Sequence, residues 1–413
     1  MNFFLRIVLF ALAAAFVCNG PAALASGIAV PIQGGRALGA GFAVSSDPYD
    51  LTCIYHNPAG LARLGKGQIC AGANNGYANV HFTKPGEDEV HLEQNVFYLP
   101  FLGASSNFGI DKFASGFAFY APFGARMDYP QEGPQRDIIQ YVDLQTMYLT
   151  GAVAYNFTDR ISAGLGVSYI YAKLELEQTR NMMGFEVDVG AEADDSTVGW
   201  NCGLLADVTD QITVGLAYTS QADGNLQGDV GALRPALVRQ MFPDRYDITD
   251  LKVSLPAFYR AGLTWRITPQ WKSMVDLFYW EWSVWKENRI KIETNPFGIT
   301  ELVFPRNWED SITLVMGTEY AAPDSPFTYR AGLAYDQNAI PDETVDLGPA
   351  DSEKYAVTVG LGYRFTPGME ANLGLAYIMY DDRNIKNSIV EPSTNGKYTY
   401  DMGFLNVDFI YRF

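Results

Sequence analysis

The sequence predicts an all-β fold: a transmembrane, fourteen-stranded antiparallel β-barrel with an N-terminal hatch in its lumen. Three observations predict it. Apolar and small or polar residues alternate in runs of membrane-strand length. Short and long connections between those runs also alternate. A secretory leader at one end of the chain is matched by an aromatic terminal residue at the other.

The leader comes first. Met1–Ala25 has one early cation, Arg6, an apolar run from Ile7 to Val17, and the small-x-small ending Ala23-Leu24-Ala25. This is the plan of a secretory signal peptide, with removal expected after Ala25. The apolar run is too short to span a bilayer as a helix, and no later stretch approaches the required length. Cys18 follows Ala15-Phe16-Val17, a poor context for lipidation.

Composition narrows the class further. Acids number 47 against 29 Lys plus Arg, a net charge of -18 at pH 7. Neutralising phosphates needs the opposite sign, so nucleic acid is not an expected partner. Cys53, Cys70 and Cys202 remain after the leader; an odd number argues against a disulfide framework. Cys53 and Cys70 could bridge or stand as separate thiols, the second being the reading adopted.

The strands are read from period-two alternation. In Tyr355–Phe365 the residues Tyr355, Val357, Val359, Leu361, Tyr363 and Phe365 share one face; Ala356, Thr358, Gly360, Gly362 and Arg364 share the other. Met147–Phe157, Ile212–Thr219 and Tyr259–Ile267 repeat the pattern. A soluble sandwich alternates too. Here the runs have the length of a tilted membrane strand, the apolar faces end in aromatic girdles, and the opposite faces suit a wet or plugged lumen.

Connections give the count. Short turns fall at Phe108–Lys112, Asn156–Arg160, Thr209–Gln211, Thr268–Gln270, Ala322–Pro326 and Thr366–Met369, several with Asp or Pro-Gly turn chemistry. Between them lie long, acidic, irregular stretches: Lys84–His91, Asp128–Asp143, Thr179–Ser196, Ala222–Lys252, Glu293–Asp310, Asn338–Ser352 and Asp381–Tyr398. Six short and seven long connections join fourteen strands, an even number, with both chain ends on the short-turn side. Bacterial outer-membrane barrels have this asymmetry, with turns periplasmic and loops outside. Leu405, Val407, Phe409, Tyr411 and the terminal Phe413 alternate like the closing strand of such a barrel.

Residues 26–65 do not read as strands. They are glycine-rich and carry prolines, and a fourteen-strand lumen is too wide for wall side chains alone to fill. The segment is expected to plug it. The organisation is therefore signal peptide 1–25, hatch 26–65 and barrel 66–413.

The Gly35–Gly41 stretch, the acidic Asp47 and Asp50, and Asn57-Pro58-Ala59-Gly60-Leu61 resemble the FadL family of outer-membrane transporters for long-chain fatty acids and other hydrophobic compounds. Ser162–Glu177, Leu255-Pro256, Trp280-Glu281-Trp282-Ser283 and Arg330–Asp336 extend the resemblance along the mature chain. The resemblance implies passive transport in a monomer at the outer membrane. The expected partners are a long-chain fatty acid or other hydrophobic molecule and the surrounding outer-membrane lipids, with no cofactor and no metal. It implies that Asn57, Pro58 and Ala59 form the turn that ends the hatch. It implies that Ala121, Pro122, Phe123 and Gly124 kink the third strand inward and open a lateral exit; Pro122 cannot donate to a ladder, and a closed wall leaves a bulge as its place. It implies substrate capture between two outer loops, at Met182, Met183, Phe185, Leu233, Leu237, Met241 and Phe242. Of these, Leu233, Leu237 and Met241 fall at helical spacing within Ala232–Phe242. Candidates for holding a carboxylate are Arg180 and Arg306. The family's basic position on strand five is Gln178 here, which keeps neutral cargo such as aromatic hydrocarbons open as an alternative.

A barrel lipase or deacylase needs a Ser nucleophile with a positioned His. His56, His81 and His91 offer no such spacing, no Cys/His cluster suggests a metal, and the expectation is no enzyme. A polar-solute porin would not need a hatch or apolar loops. The break in the third strand is expected to face the Asn57-Pro58-Ala59 turn.

Overall fold

The computed structural model describes residues 27–413 apart from 94–95, 183–184, 242–244, 294–299 and 349–350. The expected leader therefore lies outside the described residues. Fourteen wall strands run in chain order. They are β1 (Gly67–Thr83), β2 (Val96–Ser106), β3 in two pieces (Phe113–Tyr120 and Gly124–Asp128), β4 (Tyr141–Asn156), β5 (Ile161–Met182), β6 (Phe185–Asp207) and β7 (Ile212–Thr219, continued by Ala222–Arg234). Then come β8 (Tyr246–Leu255 and Phe258–Arg266), β9 (Trp271–Trp280, continued by Glu287–Ile292), β10 (Ser311–Ala321, preceded by Glu301–Pro305), β11 (Phe327–Asp336), β12 (Lys354–Thr366), β13 (Met369–Tyr380) and β14 (Gly396–Arg412).

Each strand pairs antiparallel with its neighbours in sequence, and β14 pairs with β1 from Gln68↔Arg412 to Thr83↔Lys397, closing the ring. Closure leaves no sheet edge for lipid to meet. The register follows the alternation: Tyr355, Val357 and Val359 are exposed on the outside, while Ala356 and Thr358 are buried inside.

Residues 27–65 cross the interior. Two short helices, α1 (Gly35–Gly39) and α2 (Cys53–His56), are followed by a 3-10 turn, Pro58–Arg63. The segment bonds wall strands all round the ring: Asn74 Nδ2 of β1 donates to Ile32 O at 2.7 Å, Asn201 Nδ2 of β6 to Ile54 O at 2.7 Å, and Ser45 N to Asp276 of β9 at 2.8 Å. Close approach demands glycine on both sides. A Cβ on Gly39 would lie 2.6 Å from the Gly360 Cα of β12.

Charge fixes this segment where it packs deepest. Arg36 pairs with Asp47 and, at 3.0 Å, with Glu319 of β10. Lys272 of β9 reaches Asp47 at 2.7 Å and Glu319 at 2.8 Å, and Arg330 of β11 reaches Glu319 at 2.6 Å. Burial alone would raise the Asp47 carboxyl, but Lys272 and Arg36 hold it below its ordinary value. Tyr49 carries the Arg36, Lys272 and Arg412 cations over its ring and donates to Glu370 at 2.7 Å.

Two expected loops are more regular than the sequence suggests. Thr179–Ser196 is a hairpin formed by the ends of β5 and β6, paired as far as Met182↔Phe185. Ala222–Lys252 is largely strand around one helical turn, α3 (Ala236–Met241). Their inner faces are buried, at Val187 and Ala193 in the first and at Leu226, Ile248 and Leu251 in the second, while the outer faces carry polar residues such as Glu192, Asn225 and Gln227 in place of the apolar ones that meet lipid. Cys53, Cys70 and Cys202 are free thiols.

Candidate functional site

The third strand leaves the wall at Ala121–Phe123. β3 pairs with β2 only from Leu102↔Phe119 to Ser106↔Ser115, and Gly124–Asp128 pairs with β4 alone. Residues Val96–Phe101 of β2 therefore have a ladder partner in β1 but none in β3. The two margins meet again where Glu93 N donates to Asp128 O at 2.7 Å. Between these points the barrel wall has a gap.

An unpaired backbone group in lipid costs several kcal/mol, so the freed groups need partners. Val30 N donates to Pro122 O at 2.7 Å, and Gly124 N donates to Ile28 O at 2.9 Å. The Thr146 hydroxyl of β4 donates to Phe123 O at 2.7 Å and accepts from Phe123 N at 3.2 Å. Gln33 Nε2 donates to Ala121 O at 3.3 Å. The break is thus turned inward and bonded to the start of the N-terminal segment. This corrects the expectation that it faces Asn57-Pro58-Ala59.

That turn sits elsewhere. Asn57 Nδ2 donates to Ser45 O at 2.8 Å, to Leu204 O of β6 at 3.2 Å and to Leu216 O of β7 at 3.4 Å. Its Oδ1 accepts from Ala59 N at 3.2 Å, capping the 3-10 turn that Pro58 begins. Gly164 and Gly203 of β5 and β6 give it room: a Cβ on Gly203 would collide with the Asn57 side chain, and one on Gly164 with Pro58. The turn staples the segment to the wall between β5 and β7.

Above the break, toward the long loops, lies a partly open pocket with a cavity volume of about 120 Å³. Ile28 and Ala125 place one end of it at the bonded break; Leu144, Leu174, Leu251 and Trp285 are among its apolar walls. Both predicted arginines line it. Arg306 pairs with Asp346, so its charge is already met. Arg180 donates to Gln178 Oε1 at 2.9 Å and has no carboxylate within ion-pair distance among the described residues. The pocket therefore offers mostly apolar walls, the Arg306–Asp346 pair, and Arg180 and Glu391 outside any ion pair among the described residues.

The expected loop residues fare differently. Leu233 packs on β6, where a Cβ on Gly190 would touch its side chain. Met183 and Phe242 lie outside the described residues. Met182 and Phe185 end the β5–β6 hairpin, and Leu237 and Met241 lie on α3, with their side chains outside the description.

Sequence reasoning missed Pro100. It lies in β2, paired with Ala73 of β1 and opposite the gap. A proline inside an otherwise alternating run marks a strand edge, so both margins of the gap carry one. Gln33 and Thr146, which satisfy the break, carry no local signal.

The family model for outer membrane protein transport proteins (OMPP1/FadL/TodX) matches residues 14–413. A long-chain fatty acid transport protein of Salmonella typhi is 22% identical over 313 residues, covering 70% of this chain and 71% of the relative. The crystal structure of a Pseudomonas aeruginosa FadL homologue superposes with a TM-score of 0.80 at 19% identity, covering 94% of this chain and 99% of that one. The Pseudomonas putida toluene transporter TodX gives 0.73 at 16% identity, covering 92% and 98%.

Proposed function

Because the chain belongs to the OMPP1/FadL/TodX family of outer-membrane transport proteins, we propose that it carries hydrophobic molecules passively across the outer membrane, long-chain fatty acids foremost, and releases them sideways through the break in β3. The observation that carries this reading is the continuity between pocket and gap: Ile28 both lines the pocket and accepts the Gly124 amide of the break. Cargo gathers at the outer hairpins around Leu233, with Met182, Met183, Phe185, Leu237, Met241 and Phe242 as the remaining capture residues. It then enters the pocket with its carboxylate toward Arg180, and a shift of Ile28–Val30 frees the break. The segment 26–65 acts as a fixed hatch, the leader 1–25 is removed, the mature protein works as a monomer, and its task is passage without bond-making. Ala121, Pro122, Phe123 and Gly124 form the exit; Asn57, Pro58 and Ala59 hold the hatch.

A second reading is uptake of neutral aromatic hydrocarbons. It is favoured by the Trp282–Trp285–Trp308 cluster beside the pocket and by the pairing of Arg306 with Asp346. Cells expressing the protein, given radiolabelled hexadecanoate or toluene at low concentration, separate the two. Accelerated hexadecanoate uptake supports the first reading, toluene alone the second, and neither sinks both.

A further inference from the structure

Arg260 lies on the inner face of β8, 2% exposed, and no carboxylate is within ion-pair distance of it among the described residues. Its Nη1 donates to Tyr55 O at 2.7 Å and His56 O at 3.1 Å, at the end of α2. The guanidinium stands over three rings, with centroids at 4.2 Å for Tyr55, 4.7 Å for Phe258 and 5.2 Å for Phe278. Its remaining edge, Nε and Nη2, has no acceptor. These two nitrogens form the side-on fork that binds a carboxylate through two parallel hydrogen bonds.

Among the described residues the surroundings place no carboxylate in direct contact with the guanidinium. His56 Nε2 faces Gln33 O at 3.0 Å, and burial, with Arg260 adding to it, lowers the ring's pKa to about 3, so His56 is neutral. Asp276 of β9 accepts from Ser45 N through Oδ2, has no partner for Oδ1 among the described residues, and lies within electrostatic reach of Arg260 but beyond ion-pair distance. The Tyr55 hydroxyl has no hydrogen-bond partner among the described residues; burial raises its pKa and the neighbouring Arg260 opposes that rise. A buried cation left without a counter-charge is costly, and hydrophobic isosteres are usually the better filling. Three unspent donors within an aromatic box fit a ligand that is anionic at one end and apolar at the other.

The position joins the box to the pocket and to the break. Phe258 packs on Trp280 at 4.4 Å, Trp280 on Trp282 at 6.2 Å, and Trp282 on the pocket residue Trp285 at 6.3 Å. Phe123, inside the break, lies 6.4 Å from Phe258. We propose that the Nε–Nη2 edge of Arg260 and the Tyr55 hydroxyl form a second carboxylate subsite, deeper than Arg180 and beside the break, for a monocarboxylate with a hydrocarbon tail. The subsite rests on the reading of the pocket as a carboxylate-cargo site. The cargo's head steps from Arg180 to Arg260 while its tail turns toward the gap.

The test is carbon NMR of carboxyl-labelled hexadecanoate bound to the purified full-length protein in detergent, with the methyl ester as uncharged control. Two bound carboxyl resonances are expected at saturation. Arg180→Met should remove one, and Arg260→Met the other. Tyr55→Phe, which leaves the Nη1 clamp intact, should weaken binding at the Arg260 resonance roughly tenfold or more, the loss of one hydrogen bond to a charged group. Ester binding should not change in any variant. A single resonance abolished by Arg180→Met, or two resonances indifferent to both Arg260→Met and Tyr55→Phe, overturns the subsite. Equal loss of acid and ester binding in Arg260→Met, with Tyr55→Phe silent, also overturns it and leaves Arg260 as a clamp on the N-terminal segment. If no resonance responds to Arg180→Met, the pocket reading fails, while the Arg260 resonance is judged on its own variants.

Discussion

The two halves of the lumen are built in opposite ways. Toward the short turns, the N-terminal segment fills the interior and is locked by the Arg36, Asp47, Lys272, Glu319 and Arg330 ion pairs. Toward the long loops, the interior is a mostly apolar pocket in which Arg180 has no carboxylate within ion-pair distance among the described residues. The lower half resists displacement; the upper half invites a ligand. The gap in the wall opens at the boundary between them, where only Ile28–Val30 and a few side chains bond the break. A molecule that reaches the boundary finds sideways motion opposed by a handful of hydrogen bonds and downward motion opposed by a buried charge network.

The largest effect should come from breaking the lower half. Arg36→Met leaves Asp47 and Glu319 with fewer counter-charges in a buried site, and removing one partner of such a network costs about 3–5 kcal/mol. We expect the barrel to stay heat-resistant on gels while the N-terminal segment becomes open to protease and polar solutes leak through. A variant whose segment remains protected would show that the lock is not electrostatic.

The upper half should respond to Arg180 and hardly to Arg306. A hydrogen-bonded charge contributes about 1.5–3 kcal/mol, so Arg180→Met should weaken carboxylate binding by roughly 10- to 100-fold. Arg306→Met should change it less, because Asp346 already meets that charge. Equilibrium binding of hexadecanoate to both variants compares them; equal losses would reverse the roles assigned here.

The smallest effect is a pH dependence confined to the lower half. His56 has a folded pKa of about 3 against an ordinary 6.5. The unfolded segment therefore takes up its proton first, and docking weakens as pH falls below about 6.5, by about 1.4 kcal/mol per unit at most. Asp47 has the same sign: its carboxyl is held below its ordinary value, so its contribution is present above that value and is lost as pH falls below it. Protease sensitivity of the segment should rise between pH 6 and roughly pH 4, and His56→Gln should flatten that rise. A flat profile in the unaltered protein would contradict the buried neutral imidazole.

Much of this arrangement is legible in the sequence, because a membrane wall imposes period-two patterning wherever lipid touches it. Tyr355–Phe365 announces its faces, and the turn lengths count the strands. Pro122 and Gly124 announce the break because neither belongs in a closed ladder. The partners of the break are not legible: Val30 meets Pro122 across a long stretch of chain, and nothing local to Gln33 or Thr146 marks them. The same holds for Arg36 and Glu319, whose pairing exists only once the ring closes. Thr179–Ser196 looks irregular in sequence because its buried face uses small and polar residues such as Thr179, Gly190 and Ala193 and its exposed face is polar, so no apolar period stands out. Pro100 was legible by the rule that flags Pro122, and it marks the opposite margin of the same gap.

The central claim is that cargo leaves through the gap and not past the locked segment. The most direct measurement is hydrophobic uptake by the double variant Pro122→Thr with Gly124→Val, which restores ladder donors and strand-favouring residues to β3. The account predicts a protein that inserts and resists heat as a barrel, binds hexadecanoate with unchanged affinity, and transports almost none. Normal uptake by that variant would contradict the lateral exit and send the cargo through a displaced N-terminal segment.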